Sequence, residues 1–144
     1  MRDIVITRDL PYPVELVWSA FTESDQIAAW LMKNDFSPVV GHKFTFVTDP
    51  APGFDGVVHC TVLEVDTMRR LKMSWRGGPV DTILTYDLQP IAEGVRLTLR
   101  HTGFKGLSNL MPRLMLGGGW KSLVATKLVA VLETLKQRTR VRTQ

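Results

Sequence analysis

Apolar residues along this chain keep two rhythms, a three-to-four-residue step towards both ends and a two-residue step in the middle. Asp3 to Asp9 opens with Ile4, Val5, Ile6 and Thr7, a β-branched run that predicts a first strand, and Leu10-Pro11-Tyr12-Pro13 ends it. Pro13 suits the first turn of a helix, where its missing N–H costs nothing, and Val14, Val17, Trp18 and Phe21 follow at helical spacing. A second short helix begins near Ser24 or Asp25, either of which can cap it, and turns Ile27, Trp30 and Leu31 inward.

From Gly41 the period becomes two. Phe44 and Phe46 share one face of a strand, and Asp49 to Gly56 is turn chemistry. Val57 to Val65 reads as a longer strand whose faces do not separate, because Val58, Cys60 and Val62 alternate with His59, Thr61, Leu63 and Val65. Leu71, Met73 and Trp75 line the next strand, Leu84, Tyr86 and Leu88 the one after Gly77-Gly78-Pro79, and Val95, Leu97, Leu99 and His101 the last. Short turns between successive strands imply an antiparallel meander.

Helical spacing then returns. Phe104 to Leu116 is apolar but interrupted by Pro112, which predicts a short or broken helix, and Gly117-Gly118-Gly119 predicts a sharp bend. A long helix follows to Leu135, with Trp120, Leu123, Val124, Leu128, Val131, Leu132 and Leu135 along one side. The predicted class is α+β: a curved antiparallel sheet wrapped around the long C-terminal helix, with two short helices between the first and second strands. The reading divides the chain into one domain over 1–137 and a basic tail over 138–144.

Composition narrows the function classes. With 44% hydrophobic and 22% charged residues the 144-residue chain is that of a globular domain, not a disordered one. The net charge of +4 is accounted for by Lys136, Arg138, Arg140 and Arg142, so the body is formally neutral and nucleic acid is not an expected partner. Cys60 is the single cysteine, which excludes an internal disulfide. Arg2, Asp3, Arg8 and Asp9 leave no apolar core for a signal peptide, and no uninterrupted apolar run reaches the roughly 20 residues of a membrane span. The expected location is the cytoplasm.

A gap between sheet and helix would be lined by Trp30, Phe44, Phe46, His59, Trp75, Tyr86, Leu99, His101, Met111, Met115, Trp120 and Val124. Apolar walls with a few polar tips suit an apolar or aromatic small molecule. The alternative is that these residues touch one another and fill the core. His59 or His101 would be the candidate general base and Tyr86 an oxyanion holder, although no strand Asp or Glu has an evident orienting role. His42, His59 and His101 lie on separate strands without a close pair, so no metal and no cofactor are expected. In Gly117-Gly118-Gly119-Trp120-Lys121-Ser122 a tryptophan separates glycine from lysine and no strand precedes the run, so it is not a phosphate loop. Gly53-Phe54-Asp55-Gly56 reads as a hairpin loop, with a lid tipped by Phe54 as the functional alternative.

The order of elements resembles the helix-grip fold of the START-like, or SRPBCC, superfamily, which includes the birch-pollen allergen. Pro13 to Thr22 with Ile27-Ala28-Ala29-Trp30 is similar to the opening of homologues of the activator of the heat-shock chaperone ATPase. Val40 to Phe46, Leu63-Glu64-Val65-Asp66 with Arg70-Leu71 and Ser74-Trp75, and Gly119-Trp120 add to that resemblance. It implies a pocket-bearing fold and hence a carrier or sensor of a hydrophobic ligand. An enzyme resembling the superfamily's polyketide cyclases, and a chaperone-binding protein, are the alternatives. Chaperone activation ranks last, because function does not travel reliably with fold, and a homodimer is left open. Family members often carry polar residues before the Gly-Trp pair. Leu114-Met115-Leu116 here make the expected mouth apolar and rich in methionine.

Overall fold

The computed structural model describes residues 2–143, with the side chains of 142 and 143 left aside. Seven strands form one antiparallel sheet in the order β1-β7-β6-β5-β4-β3-β2: β1 (Ile4–Leu10), β2 (Lys33–Asn34), β3 (Lys43–Val47), β4 (Val57–Asp66), β5 (Arg70–Gly77), β6 (Val80–Ile91) and β7 (Gly94–Thr102). Helices α1 (Val14–Thr22) and α2 (Ser24–Trp30) connect β1 to the short β2, a strand the periodicity does not predict. The sheet curls around a C-terminal helical arm, giving the expected helix-grip architecture.

Alternation works as the sequence implies because one face of the sheet is buried. Phe44 and Phe46 on β3, Leu71, Met73 and Trp75 on β5, Leu84, Tyr86 and Leu88 on β6, and Val95, Leu97, Leu99 and His101 on β7 all point inward. In β4 the inward residues are Val58, Cys60 and Val62, after which a bulge between Val62 and Glu64 shifts the register. Val62 lies opposite Met73 and Val65 opposite Leu71, so the inward parity changes from even to odd across the bulge. His59 therefore points outward and is exposed.

The C-terminal arm departs from expectation. The glycine triplet does not bend the chain: helix α3 (Leu110–Ala125) runs straight through it, with Pro112 harmlessly placed in the first turn. The break comes instead at Thr126, whose φ of −122° and ψ of −71° are not helical, and α4 (Lys127–Thr143) follows. Thr126 N–H still reaches the Ser122 carbonyl at 3.0 Å, so the arm is interrupted without being severed. The stretch read as a basic tail continues α4 as far as Thr143, and residue 144 lies outside the described residues. Of the predicted stripe, Trp120, Val124, Leu128, Val131 and Leu132 are buried on the sheet and the short helices, and Leu123 and Leu135 are partly buried against the same core. The Tyr12 hydroxyl, 2.9 Å from Glu133 Oε2, ties α4 to the end of β1.

Helix α2 carries no side-chain cap. The Ser24 hydroxyl donates to Asn34 Oδ1 at 2.9 Å, fastening the short helices to β2 rather than capping their own backbone. Trp30 closes the arrangement, its indole N–H donating to the Ala20 carbonyl at 2.8 Å. Taken across the interruption at Thr126, the helical stretch from Leu107 to Val141 is long and apolar enough by composition to cross a membrane. Its residues Trp120, Val124, Leu128 and Leu132 are nonetheless packed in the core, which makes the second half of the arm a core helix of a globular domain.

Candidate functional site

Nine of the residues expected around a cavity are brought together: Trp30, Phe44, Phe46, Trp75, Tyr86, Leu99, His101, Trp120 and Val124, each at most 3% exposed. Trp120 sits among them, its ring centroid 5.5 Å from Trp75, 6.2 Å from His101, 6.4 Å from Trp30 and 6.5 Å from Tyr86. Phe46 lies 5.4 Å from Trp75 and 5.2 Å from Phe44, and Phe21 lies 4.4 Å from Tyr86. These are contact distances between aromatic rings, so the rings occupy the space between sheet and helix.

His101 sits inside this cluster, and its hydrogen bonds fix its chemistry. An indole nitrogen can only donate, so the Trp120 N–H, 3.0 Å away, requires a lone pair on His101 Nδ1. The proton of the neutral ring is then on Nε2 and is donated to Thr82 Oγ1 at 2.7 Å. Thr82 in turn donates to the Trp75 carbonyl at 3.0 Å. The chain from Trp120 through His101 and Thr82 to Trp75 runs in one direction, and burial lowers the His101 pKa to about 3. A general base needs a free lone pair and a pKa near the working pH. His101 has neither, and it cross-links α3, β7, β6 and β5 instead.

The other polar candidates lie elsewhere or are equally closed in. His59 is on the outer face, at an open depression of about 610 Å³ that also touches Asp55, Arg76 and Asp81, so it cannot act with His101. The Tyr86 phenol is pushed well above its ordinary pKa, first by burial, and the Cys60 thiol is raised to about 12 by the same cause. Neither is an anion near neutrality. Met111 and Met115 are exposed on the outer side of α3, not turned towards the core. Among the described residues no three His, Cys, Asp or Glu side chains are grouped to hold a metal.

An apolar cleft of about 450 Å³ does exist, at the rim of the sheet. Ala51, Pro52, Gly53 and Phe54 of the β3–β4 loop form one wall, Gly77, Pro79 and Val80 of the β5–β6 turn the floor, and Ser108, Pro112, Met115 and Leu116 the other wall. Buried Asn109 holds the walls in place: its side-chain amide donates to the Pro79 carbonyl at 2.9 Å, and its Oδ1 accepts from the Lys105 N–H at 3.1 Å. Arg113 clamps the opposite flank, donating to the carbonyls of Arg2 and Asp3 at 3.0 and 3.1 Å. Phe54 is half-buried, and its short loop is closed by paired backbone hydrogen bonds with Ala51, both 2.9 Å. Behind the floor, Val80 and Thr82 are successive inward positions of β6, so the cleft ends one position from the His101 chain.

Of the residues expected to line the gap between sheet and helix, Met115 alone borders this cleft. Leu116, expected with Met115 at an apolar mouth, borders it too, whereas the sequence did not single out Pro52, Val80, Ser108 and Pro112 as lining residues, because they come from three segments whose meeting is decided by the fold. The available signals were the apolar, methionine-rich run before Gly119-Trp120 and the aromatic at the tip of the Gly53–Gly56 loop.

Comparison with known proteins places the geometry in context. A family described as "Activator of Hsp90 ATPase homolog 1-like protein" matches residues 11–133. Protein MLL2253 from Mesorhizobium loti is 31% identical over 92% of this chain and 98% of its own, with a TM-score of 0.83. CalU16 from Micromonospora echinospora shares the fold at 22% identity, covering 95% of this chain and 80% of its own, with a TM-score of 0.75. DynU16, a protein of the dynemicin biosynthetic locus, does so at 24% identity over 92% of this chain and 47% of its own, with a TM-score of 0.74. No curated protein matches the sequence.

Proposed function

The chain belongs to the Activator of Hsp90 ATPase homolog 1-like family of the START-like superfamily, and on that premise we infer that it is a non-catalytic binding domain for a hydrophobic or aromatic small molecule. The ligand is held at the rim cleft, between the β3–β4 loop, the β5–β6 turn and the first half of α3. The observation that carries this reading is the pairing of a closed aromatic interior with an apolar cleft of about 450 Å³, a volume suited to a small organic ligand. Pro52, Phe54, Val80, Met115 and Leu116 supply apolar contact, and Ser108 is the polar group at the margin. Methionine gives a wall that adapts to irregular shapes. The neutral, doubly hydrogen-bonded His101 supports binding over an acid–base reaction. The cytoplasmic location belongs to the same reading.

Displacement of the fluorescent dye anilinonaphthalene sulfonate tests the proposal. Saturable uptake by the wild type, weakened at least ten-fold by Ser108→Trp, is the expected result. Equal uptake by the variant would remove the cleft as the site, and native mass spectrometry of protein from its own cells would show whether any small molecule travels with it. The chaperone-activator reading rests on the family's description alone; recovery of a chaperone in a pull-down, with a change in its ATP hydrolysis, would put that reading first.

A further inference from the structure

A second apolar stripe faces solvent on the single 3-10 turn Leu107–Asn109 and on the first half of α3, which continues it. Leu107, Leu110, Met111, Leu114 and Met115 recur at steps of three and four, and Leu107 is 91%, Met111 64%, Leu114 57% and Met115 68% exposed. The stripe lies on the side of the helix away from the sheet, because Arg113 and Asn109 clamp the inner side to β1 and to the β5–β6 turn. A contiguous apolar face of this kind marks an interaction surface.

Charge decides what it meets. No aspartate or glutamate occurs between Gly94 and Leu132, while exposed Lys105 and Lys121 bracket the stripe. None of the ion pairs among the described residues involves these two lysines. A second copy of α3 laid against the first would bring cation against cation with no carboxylate from that segment between them, so self-association is disfavoured. A helix with an apolar face bracketed by lysines fits a surface that is apolar in depth and negative at its boundary.

We propose that the exposed face of α3 docks this domain on anionic lipid bilayers. Leu107, Leu110, Met111 and Leu114 enter the acyl boundary while Lys105 and Lys121 meet the headgroups, with the helix lying in the plane of the surface. Met115 belongs both to this face and to the cleft, so docking brings the cleft's margin against the lipid. This deepens the ligand reading by naming the phase with which a poorly soluble ligand is exchanged, and it rests on that reading only for its purpose. The docking itself needs no ligand.

Flotation of the full chain with phosphatidylcholine vesicles, with and without 30% phosphatidylglycerol, tests it. Each cation near an anionic leaflet is worth about five-fold in partitioning, so the two lysines raise binding on the order of 25-fold at low salt. Binding falls at least ten-fold in the double variant Met111→Glu, Leu114→Glu, whose positions are exposed and border neither core nor cleft; far-ultraviolet circular dichroism checks that it folds. Absence of vesicle binding, equal binding to neutral vesicles, or unchanged binding by the double variant would overturn the proposal. A dimer in light scattering that the double variant splits would also overturn it, by assigning the face to a second copy. Dye uptake that survives a negative flotation result sinks only the docking, whereas vesicle binding without saturable dye uptake sinks only the ligand site.

Discussion

His101 makes the fold sensitive to acid, and the size of the effect follows from its surroundings. Its pKa falls from 6.5 to about 3 on burial, because the imidazolium would be stranded among Trp75, Phe104 and Trp120 with no room for a second donor at Nδ1. The unfolded chain therefore binds a proton that the folded chain refuses between about pH 6.5 and pH 3. Stability is fully present above pH 6.5 and is lost as the pH falls through that window. Integrated from pH 7 to pH 4.5, one such group accounts for about 2.5 kcal/mol. Carboxylates such as Glu133, held below their ordinary range chiefly by the Tyr12 hydroxyl, also cease to contribute at still lower pH. They must be separated from the histidine. His101→Gln does so, since its amide oxygen can accept from Trp120 and its nitrogen can donate to Thr82 without titrating. Urea unfolding followed by circular dichroism, at pH 7 and at pH 4.5, is the assay. The wild type should lose about 2.5 kcal/mol more than the variant over that interval. Parallel losses in the two proteins, or an imidazole resonance of the folded wild type that titrates near pH 6.5 and is missing from His101→Gln, would refute the buried, neutral histidine and with it the argument against acid–base catalysis.

Three other expectations follow from the same packing. Trp120→Ala should destabilise the protein by about 3 to 5 kcal/mol, since it empties the centre of the aromatic cluster and strands His101 Nδ1; a loss under about 1 kcal/mol in a urea melt would mean that the cluster is loosely packed. Gly118→Ala and Gly119→Ala should each stabilise α3 by about 0.5 to 1 kcal/mol, because a Cβ at either position meets nothing within 4 Å. Together they should raise Tm by roughly 4 °C, and a fall would show that the triplet serves a conformation other than this helix. Asn109→Ala should cost about 1 to 3 kcal/mol and weaken dye uptake as well, because it releases α3 from the Pro79 carbonyl; unchanged uptake would mean that the cleft wall does not depend on that clamp.

How far the sequence spoke for the structure depended on which rule governed each segment. Strands with one wet face declared themselves: Leu71, Met73 and Trp75, or Val95, Leu97 and Leu99, alternate because the opposite face meets water. In β4 both faces looked apolar because the bulge moves the inward set from Val62 to Val65, and no single parity describes such a strand. That shift is why the face of His59 could not be assigned. The glycine triplet misled for a different reason. Propensity weighs each residue alone, whereas α3 is pinned at both ends of the triplet, by Arg113 to β1 and by Trp120 to His101, and tertiary packing overrides a local cost of about 1 kcal/mol per glycine.

The same contrast explains why the candidate site was only partly legible. Aromatic residues at inward positions look alike in sequence whether they surround a void or fill it, since the difference is a matter of ring separations of one or two ångströms. Here a tryptophan from α2, one from β5 and one from α3 converge within 6.4 Å of each other's nearest neighbour, together with His101, and the space between sheet and helix is taken up. The apolar surface this arrangement leaves over is on the first half of α3 and the loops beside it, where Pro112, Met115 and Leu116 face Phe54 and Val80. With the inner rings in contact, the proposed ligand site lies at the rim, so substitutions at exposed rim positions such as Ser108 and Met115 should alter dye uptake while leaving stability nearly unchanged, and substitutions among the inner rings should do the reverse.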